Sequence, residues 1–452
     1  MKTAILTLLV SIFFTLHSSL SFAQQKTLAQ CMEYALENSL TIQQNLYSLD
    51  NARLDHNAAV AAFFPSMSAS TGASLSFGRA IDPADNSYTT ITTFSNSYNA
   101  GISLPIFSAR RLVNNLKQAK LSYESRLGDM QTAKDNICRE VMSAYFDVVY
   151  YEGIVELAKQ RLEVSRKNLE LVKSYYELGQ RSRAQLSEVE ASVSNDEYTL
   201  IAQENSLHLA YISLRSAMNY PQEEPLQIVT DIAIDGVGYA NSLESVKEYA
   251  LANHNSILSA ERNVKSSQIS YSNAKWSLWP SLSGSISYNY GTSYYTRMGK
   301  LAPTTDNWAA QMKQNRGSSI SLGSLSIPIF SGFNRRHNKL RAHNNLLNAQ
   351  LSEQRTRRSL DDEITRAYQQ MQGYGAQFVV NHKRVETAQL AYDGMEQKFQ
   401  CGMISAIELQ TSANSLLQAQ ADMLRTRLYY IIQCRVVDYY NGVPFIESAQ
   451  RK

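Results

Sequence analysis

The side chains in this chain that could do chemistry stand apart from one another. The histidines beyond residue 23 are His56, His208, His254, His337, His343 and His382, and they show no metal-ligand spacing. Cys31, Cys138, Cys401 and Cys434 form neither a C-x-x-C pair nor a His-paired set. Cys401 and Cys434 fall on the two arms of one helical hairpin, about 45 Å apart, too far to bond within a chain, so free, buried thiols are expected. Cys31, in Leu28-Ala29-Gln30-Cys31, lies inside an amphipathic segment past a cleavage signal and is not read as a lipid-attachment site. Asp361-Asp362-Glu363 reads as a solvated helix face. With no P-loop and no glycine-rich phosphate turn, nucleotide chemistry has no seat. No catalytic residue, metal ligand or cofactor is assigned. The remaining polar candidates are Glu408 and Thr411, just after a glycine turn, and Glu408 pairs with Ser405 as a capping box.

The elements that carry these groups are long and duplicated. Ile137, Val141, Ala144, Val148, Tyr151, Val155, Ala158, Leu162, Ser165, Leu169, Val172 and Tyr176 recur in alternating steps of four and three, which is a helical seam. No proline interrupts residues 109–178, so one helix of about 70 residues, roughly 105 Å long, is predicted. Adding 223 gives Leu360, Ile364, Ala367, Met371, Tyr374, Phe378, Asn381, Val385, Ala388, Tyr392, Met395 and Phe399, a second rod over 332–401 in the same register. A rod of this kind cannot bury its own seam and must pack along neighbours.

Residues 1–23 read as a secretory signal, with Lys2, an apolar run from Ala4 to Leu16, and small residues Ser21 and Ala23. Beyond it no apolar run is long enough for a membrane helix, so any crossing must use strands. Lys+Arg of 43 against Asp+Glu of 40, with no basic block, gives no reason to expect nucleic acid.

The first repeat, 24–219, is predicted as helix 27–63, strands 66–78 and 95–107, long helix 109–178 and return helix 183–219. A linker, 220–241, contains Pro221, Pro225, Gly236 and Gly238. The second repeat, 242–440, is predicted as helix 242–279, strands 281–291 and 317–330, long helix 332–401 and return helix 405–440, leaving a short tail at 441–452. Strand residues alternate between an apolar face, such as Met67, Ala69, Ala73, Leu75 and Phe77, and a small polar face of serines and glycine. The phase slips near Gly323, where a bulge is expected. Strands of about ten to twelve residues suit a tilted crossing of hydrocarbon. Phe63, Phe64, Trp276, Trp279, Phe107 and Phe330 cluster at the helix junctions as an interfacial girdle.

Each rod ends in a matched turn. Tyr176, Leu178, Gly179, Ser182, Gln185 and Leu186 align with Phe399, Cys401, Gly402, Ser405, Glu408 and Leu409. Glycine suits the left-handed residue that closes a helix, and Ser182 with Gln185, like Ser405 with Glu408, opens the next. One chain thus supplies four strands, which cannot close a barrel, so association is required.

At this point the sequence resembles the TolC family of outer-membrane efflux ducts. The resemblance rests on the Thr27-Leu28-x-x-Cys31-x-x-Tyr34-Ala35-Leu36-x-Asn38 opening, the Leu104-Pro105-Ile106-Phe107 and Ile327-Pro328-Ile329-Phe330 strand exits, and the two Gly-x-x-Ser turns, duplicated in fixed order. It implies an α+β membrane protein of two structural repeats, trimerising into a twelve-stranded β-barrel in outer-membrane lipid, continuous with a twelve-helix α-barrel in the periplasm. It also implies a passive duct whose turn-bearing tips dock on a periplasmic adaptor (membrane fusion) protein served by an inner-membrane transporter. In family members two acids three apart after the second turn constrict the entrance. Here Glu408 holds the first position and Thr411 the second, so half of that feature remains. Ile404 stands where a family arginine can follow the turn glycine. The competing reading is a structural coiled-coil envelope protein without channel activity, which explains the rods but not strands with serine faces. Detergent-independent solubility would favour it.

Overall fold

The computed structural model describes residues 25–81, 87–230, 241–297 and 308–450. The expected signal at 1–23 and part of the linker, 231–240, fall outside them. In chain order the elements are α1 (Leu28–Asn38), α2 (Leu40–Ala61), β1 (Ser66–Ile81), β2 (Tyr88–Phe107), α3 (Arg111–Glu177), α4 (Arg183–Met218), α5 (Leu243–Asn253), α6 (Asn255–Trp276), β3 (Ser281–Arg297), α7 (Trp308–Gln314), β4 (Arg316–Ser326), α8 (Asn334–Gln400), α9 (Ala406–Tyr440) and α10 (Phe445–Gln450). Two compact units result, one from residues 1–47, 127–259 and 354–452, the other from 48–126 and 260–353. Among the described residues no helix is long and apolar enough to cross a membrane.

The first unit is helical, and its core follows the seam. Val141 and Val148 of α3 are fully buried with Met142, Tyr145, Cys31, Met32, Leu214 and Met218, while Ile364 and Met371 of α8 pack with Val246, Ile257 and Val437. Every seam position from Ile137 to Val172 and from Leu360 to Phe399 is buried or half-buried. The tail adds to this core. Residues 445–450 form α10, Phe445 is buried, and its ring stacks on Tyr439 at 4.6 Å. A one-turn helix after Pro444 carries too few residues to show a period, which is why it read as tail. Leu226 and Ile228 of the linker are also buried there, and Tyr145 Oη donates to the Val229 carbonyl at 2.5 Å.

The helices expected at 27–63 and 242–279 are each broken, at Ser39 and at its repeat equivalent His254. Both residues are extended, with ψ of 123° and 135°. Each serves as the cap of the helix that follows. Ser39 Oγ accepts from the Ile42 N–H at 3.4 Å, and His254 Nδ1 accepts from the Ser256 N–H at 3.3 Å. The long helices begin at Arg111 and Asn334 rather than 109 and 332, because two consecutive residues ahead of each are left-handed: Ala109 and Arg110 (φ 49° and 62°), and Gly332 and Phe333 (φ 58° and 64°). Three of those four carry a β-carbon, so glycine spacing could not reveal the hinge.

The second unit holds one antiparallel sheet in the order β1-β2-β3-β4. Its first three strands span 16, 20 and 17 residues, longer than expected. The extra length in β2 is residues 88–94, a threonine-rich run outside the predicted strand although threonine favours strands. β4 is shorter than expected and stops at Ser326. Its predicted continuation, Ile327–Phe330, has no partner residues on β3, which begins at Ser281 opposite Ser326. The register slips between Ser283 and Ile286 across from Gly323 (φ 62°), so the extra residue of the bulge lies on β3. A second slip leaves Ile106 unpaired between Pro105 and Phe107. Its side chain fills the place a β-carbon on Gly284 would occupy, at 2.9 Å.

Candidate functional site

Two features could carry function, the paired turns of the first unit and the sheet of the second. At the first turn the Gly179 N–H (φ 72°) donates to the Tyr176 carbonyl at 2.9 Å and the Gln180 N–H to Tyr175 at 2.8 Å. At the second, Gly402 (φ 75°) and Met403 make the same pair of bonds to Phe399 and Lys398, both at 2.9 Å. Both capping boxes are formed. Ser182 is bonded reciprocally with Gln185, and Ser405 with Glu408, whose carboxylate accepts from the Ser405 N–H at 2.8 Å.

The two turns are held together. Leu186, Phe399 and Leu409 share one buried cluster with Val172, Val189 and Ala406. Arg181, which the motif reading passed over, reaches from the first turn to the second: its Nη2 donates to the Phe399 carbonyl at 3.2 Å and its guanidinium lies 5.9 Å from that ring's centroid. Tyr176, Leu178, Met403 and Ile407 remain exposed. Cys401 is exposed, against the expectation of burial, because it falls outside the seam. Glu408 and Thr411 are exposed too, with Thr411 Oγ1 donating to the Ile407 carbonyl at 2.8 Å.

Further from the turns, Asp196 of α4 is 2% exposed at its side chain and Arg161 of α3 is 11% exposed. Asp196 accepts from Arg161 Nε at 2.8 Å, from Ser165 Oγ, and from Gln410 Nε2 of α9 at 3.4 Å. Residues 35 apart on polar helix faces leave no local signal of such a pair.

A second polar chain sits at the α5–α6 break. Tyr439 Oη donates to Asp135 Oδ2 at 2.9 Å and lies 3.2 Å from His254 Nε2. Burial holds the His254 imidazole below its ordinary value, against the pull of Asp135 and Glu363 and with a small push from Arg139, while burial raises the Asp135 carboxyl. The unfolded chain therefore binds the histidine proton more readily, and this contribution to stability is lost as pH falls through the ordinary histidine range. The raised Asp135 works in the opposite sense, favouring the fold at lower pH. Urea midpoints between about pH 7.5 and 5.5 are expected to fall less in His254→Gln than in the wild type. Parallel curves for the two proteins would show that His254 does not titrate as its burial demands.

The sheet separates two chemistries by register. Met67, Ile102, Ile286 and Leu322 form one continuous row across the four strands, and Ala69, Ala100, Tyr288 and Ile320 form the next. On the opposite face the rows are Ser68, Gly101, Ser287 and Ser321, then Ser70, Asn99, Asn289 and Ser319. A β-carbon on Gly101 would meet Ser287 Cβ at 2.9 Å. Asn99 Nδ2 donates to Asn289 Oδ1, and Ser95 and Ser293 hydroxyls lie 3.2 Å apart. Both faces are uncovered along β1 and β4, which leaves Met67, Leu75, Ile320 and Leu322 exposed.

Two long helical rods and a sheet with one apolar face and one small polar face, both uncovered along β1 and β4, give the fold found in outer-membrane channels. The structure of CusC matches with a TM-score of 0.73 at 16% identity, covering 91% of each chain. VceC from Vibrio cholerae matches at 0.71 and 15% identity, over 93% of this chain and 95% of that one. Among curated relatives, nodulation protein T of Rhizobium leguminosarum bv. trifolii is 22% identical over 424 residues, 92% of this chain and 86% of its own. Outer membrane efflux protein BepC of Brucella suis biovar 1 (strain 1330) is 21% identical over 346 residues, 75% of this chain and 70% of its own. The model of the outer membrane efflux protein family matches residues 32–220 and 247–434, and the chain belongs to that family. The TolC-like resemblance read from the duplicated motifs holds.

Proposed function

We propose that three copies of this chain close a twelve-stranded barrel in the outer membrane and form the exit duct of a tripartite efflux or secretion system, with the helical rods in the periplasm. The observation that carries the reading is the sheet: one exposed apolar face, one face of serine, glycine and asparagine, and two edges, β1 and β4, each paired on one side only among the described residues. Unpaired strand edges in hydrocarbon cost several kcal/mol per polar group, so closure must come from other copies. Ile327–Phe330, the unpaired counterpart of Leu104–Phe107, which pairs with β3 at every residue but Ile106, would then find its partner on the next copy's β1. Family membership supports the same reading.

The turns are the docking tips in this proposal. Tyr176, Leu178, Gly179, Ser182, Gln185 and Leu186 of one turn, with Phe399, Gly402, Ser405, Glu408 and Leu409 of the other, present a fixed backbone to a periplasmic adaptor served by an inner-membrane transporter. Gly402→Val tests this. A branched side chain at φ 75° is strained by roughly 1–2 kcal/mol, and its β-carbon would meet Arg181 Nη2 at 3.0 Å. The variant is expected to reach the outer membrane as a trimer and lose export, read as substrate accumulation in cells. Unchanged export would count against tip docking. Glu408→Gln keeps the cap, since glutamine serves equally in the box. It is expected to lower cation selectivity in single-channel recordings if the ring of carboxylates lines the entrance, and identical selectivity would leave capping as its role.

A further inference from the structure

Among the described residues, the strand-to-helix junction of the second unit is basic and carries no acid. In residues 56–123 and 262–352 the only acids are Asp82, Asp85 and Asp306, all outside the described residues. Over the same stretches Arg110 precedes and Arg111 opens α3, Lys275 lies in the last turn of α6, and Arg335 and Arg336 lie in the first turn of α8. A cavity of about 250 Å³ lies at this level, lined by Arg111, Arg335, Asn273, Ser277, Trp276 and Trp279 among others, with no carboxylate in its wall. Arg335 Nη1 donates to the Ser277 carbonyl at 2.9 Å, which fixes one guanidinium at the rim. The Arg110 guanidinium sits 4.9 Å from the centroid of Trp276, which is itself 5.1 Å from Trp279.

Close in sequence to the lining residues Trp279, Pro328 and Arg335, the apolar side chains of Leu278, Trp279, Phe330 and Phe333 are exposed, and the Phe330 and Phe333 rings lie 5.6 Å apart. Guanidinium groups and hydroxyls beneath an open aromatic rim match an amphiphile with a negative head, because guanidinium forks bind phosphate oxygens while indoles sit at headgroup depth. We propose that this notch binds the phosphodiester headgroup of an anionic phospholipid, one per chain, on the helix side of the bilayer. The assignment rests on the sheet spanning a bilayer, as proposed above. Free phosphate shares the head chemistry but gives the exposed aromatic rim nothing to cover.

Full-length protein is mixed first with vesicles of pure phosphatidylcholine. Failure to insert there overturns the bilayer reading and the notch with it, whichever lipid is offered later. For inserted protein, lipid retained after detergent extraction is measured by native mass spectrometry from equal mixtures of phosphatidylglycerol and phosphatidylcholine. The wild type is expected to retain phosphatidylglycerol preferentially, and the double variant R111Q/R335Q to lose that preference by about tenfold or more. R111K/R335K, which keeps both charges, is expected to retain most of it. Equal retention of the two lipids by the wild type overturns the proposal whether or not the variants insert. Displacement of phosphatidylglycerol by inorganic phosphate at equal concentration would mark a free-phosphate site and overturn it as well.

Discussion

Leu322→Arg is expected to stop the protein entering a bilayer, whereas Ser321→Arg, the preceding residue on β4, is expected to enter normally. Leu322 is 75% exposed and shares its row with Met67, Ile102 and Ile286, while Ser321 shares the opposite row with Ser68, Gly101 and Ser287. An arginine on the lipid face of a barrel costs about 2–4 kcal/mol near the bilayer centre, so three copies on one ring would cost roughly 6–12 kcal/mol per assembly. The same charge inside an aqueous lumen carries little such penalty and alters selectivity instead. Vesicle flotation separates the two: Leu322→Arg should stay at the bottom of the gradient and Ser321→Arg should rise with the lipid. Equal behaviour, or the reverse order, would mean that the two faces have been assigned wrongly.

Asp196→Ala is expected to destabilise the helical unit by about 3–5 kcal/mol, because it strands the Arg161 guanidinium in the interior without a counter-charge. Two of that guanidinium's nitrogens, Nη1 and Nη2, are already buried without a hydrogen-bond partner. The loss also removes the acceptor for Ser165 and for Gln410, and with it a link between the two hairpins. Urea unfolding of the extracted protein gives the comparison. Replacing both partners, as Arg161→Met with Asp196→Leu, should recover much of the stability, since an apolar pair leaves no buried charge unsatisfied. A single-variant loss under about 1 kcal/mol would show that Arg161 escapes to solvent.

The long helices were legible because heptad spacing is written in apolar residues over many turns, and burial follows it from Ile137 to Val172 and from Leu360 to Phe399. The breaks at Ser39 and His254 were not, because a polar residue inside a helical stretch looks the same whether it continues a helix or caps the next one. Sheet faces were legible from period-two alternation in the lower halves of the strands. It fails where threonines follow one another in β2, and where the β3 bulge shifts the phase opposite Gly323. The turns showed themselves through Gly179 and Gly402 with their capping boxes, all local in sequence. Arg181 on Phe399 and Arg161 on Asp196 did not, since they join residues 218 and 35 apart through geometry alone.

The central claim is that the sheet of one chain is a third of a closed wall. A single-particle reconstruction of the detergent-extracted protein measures this by counting strands around the ring. Three copies, twelve strands, β4 of each chain hydrogen-bonded to β1 of the next, and the serine rows turned inward are the predicted result. A monomer with Met67, Ile102, Ile286 and Leu322 folded against its own helices, or a ring that leaves β1 and β4 unpaired, would contradict it.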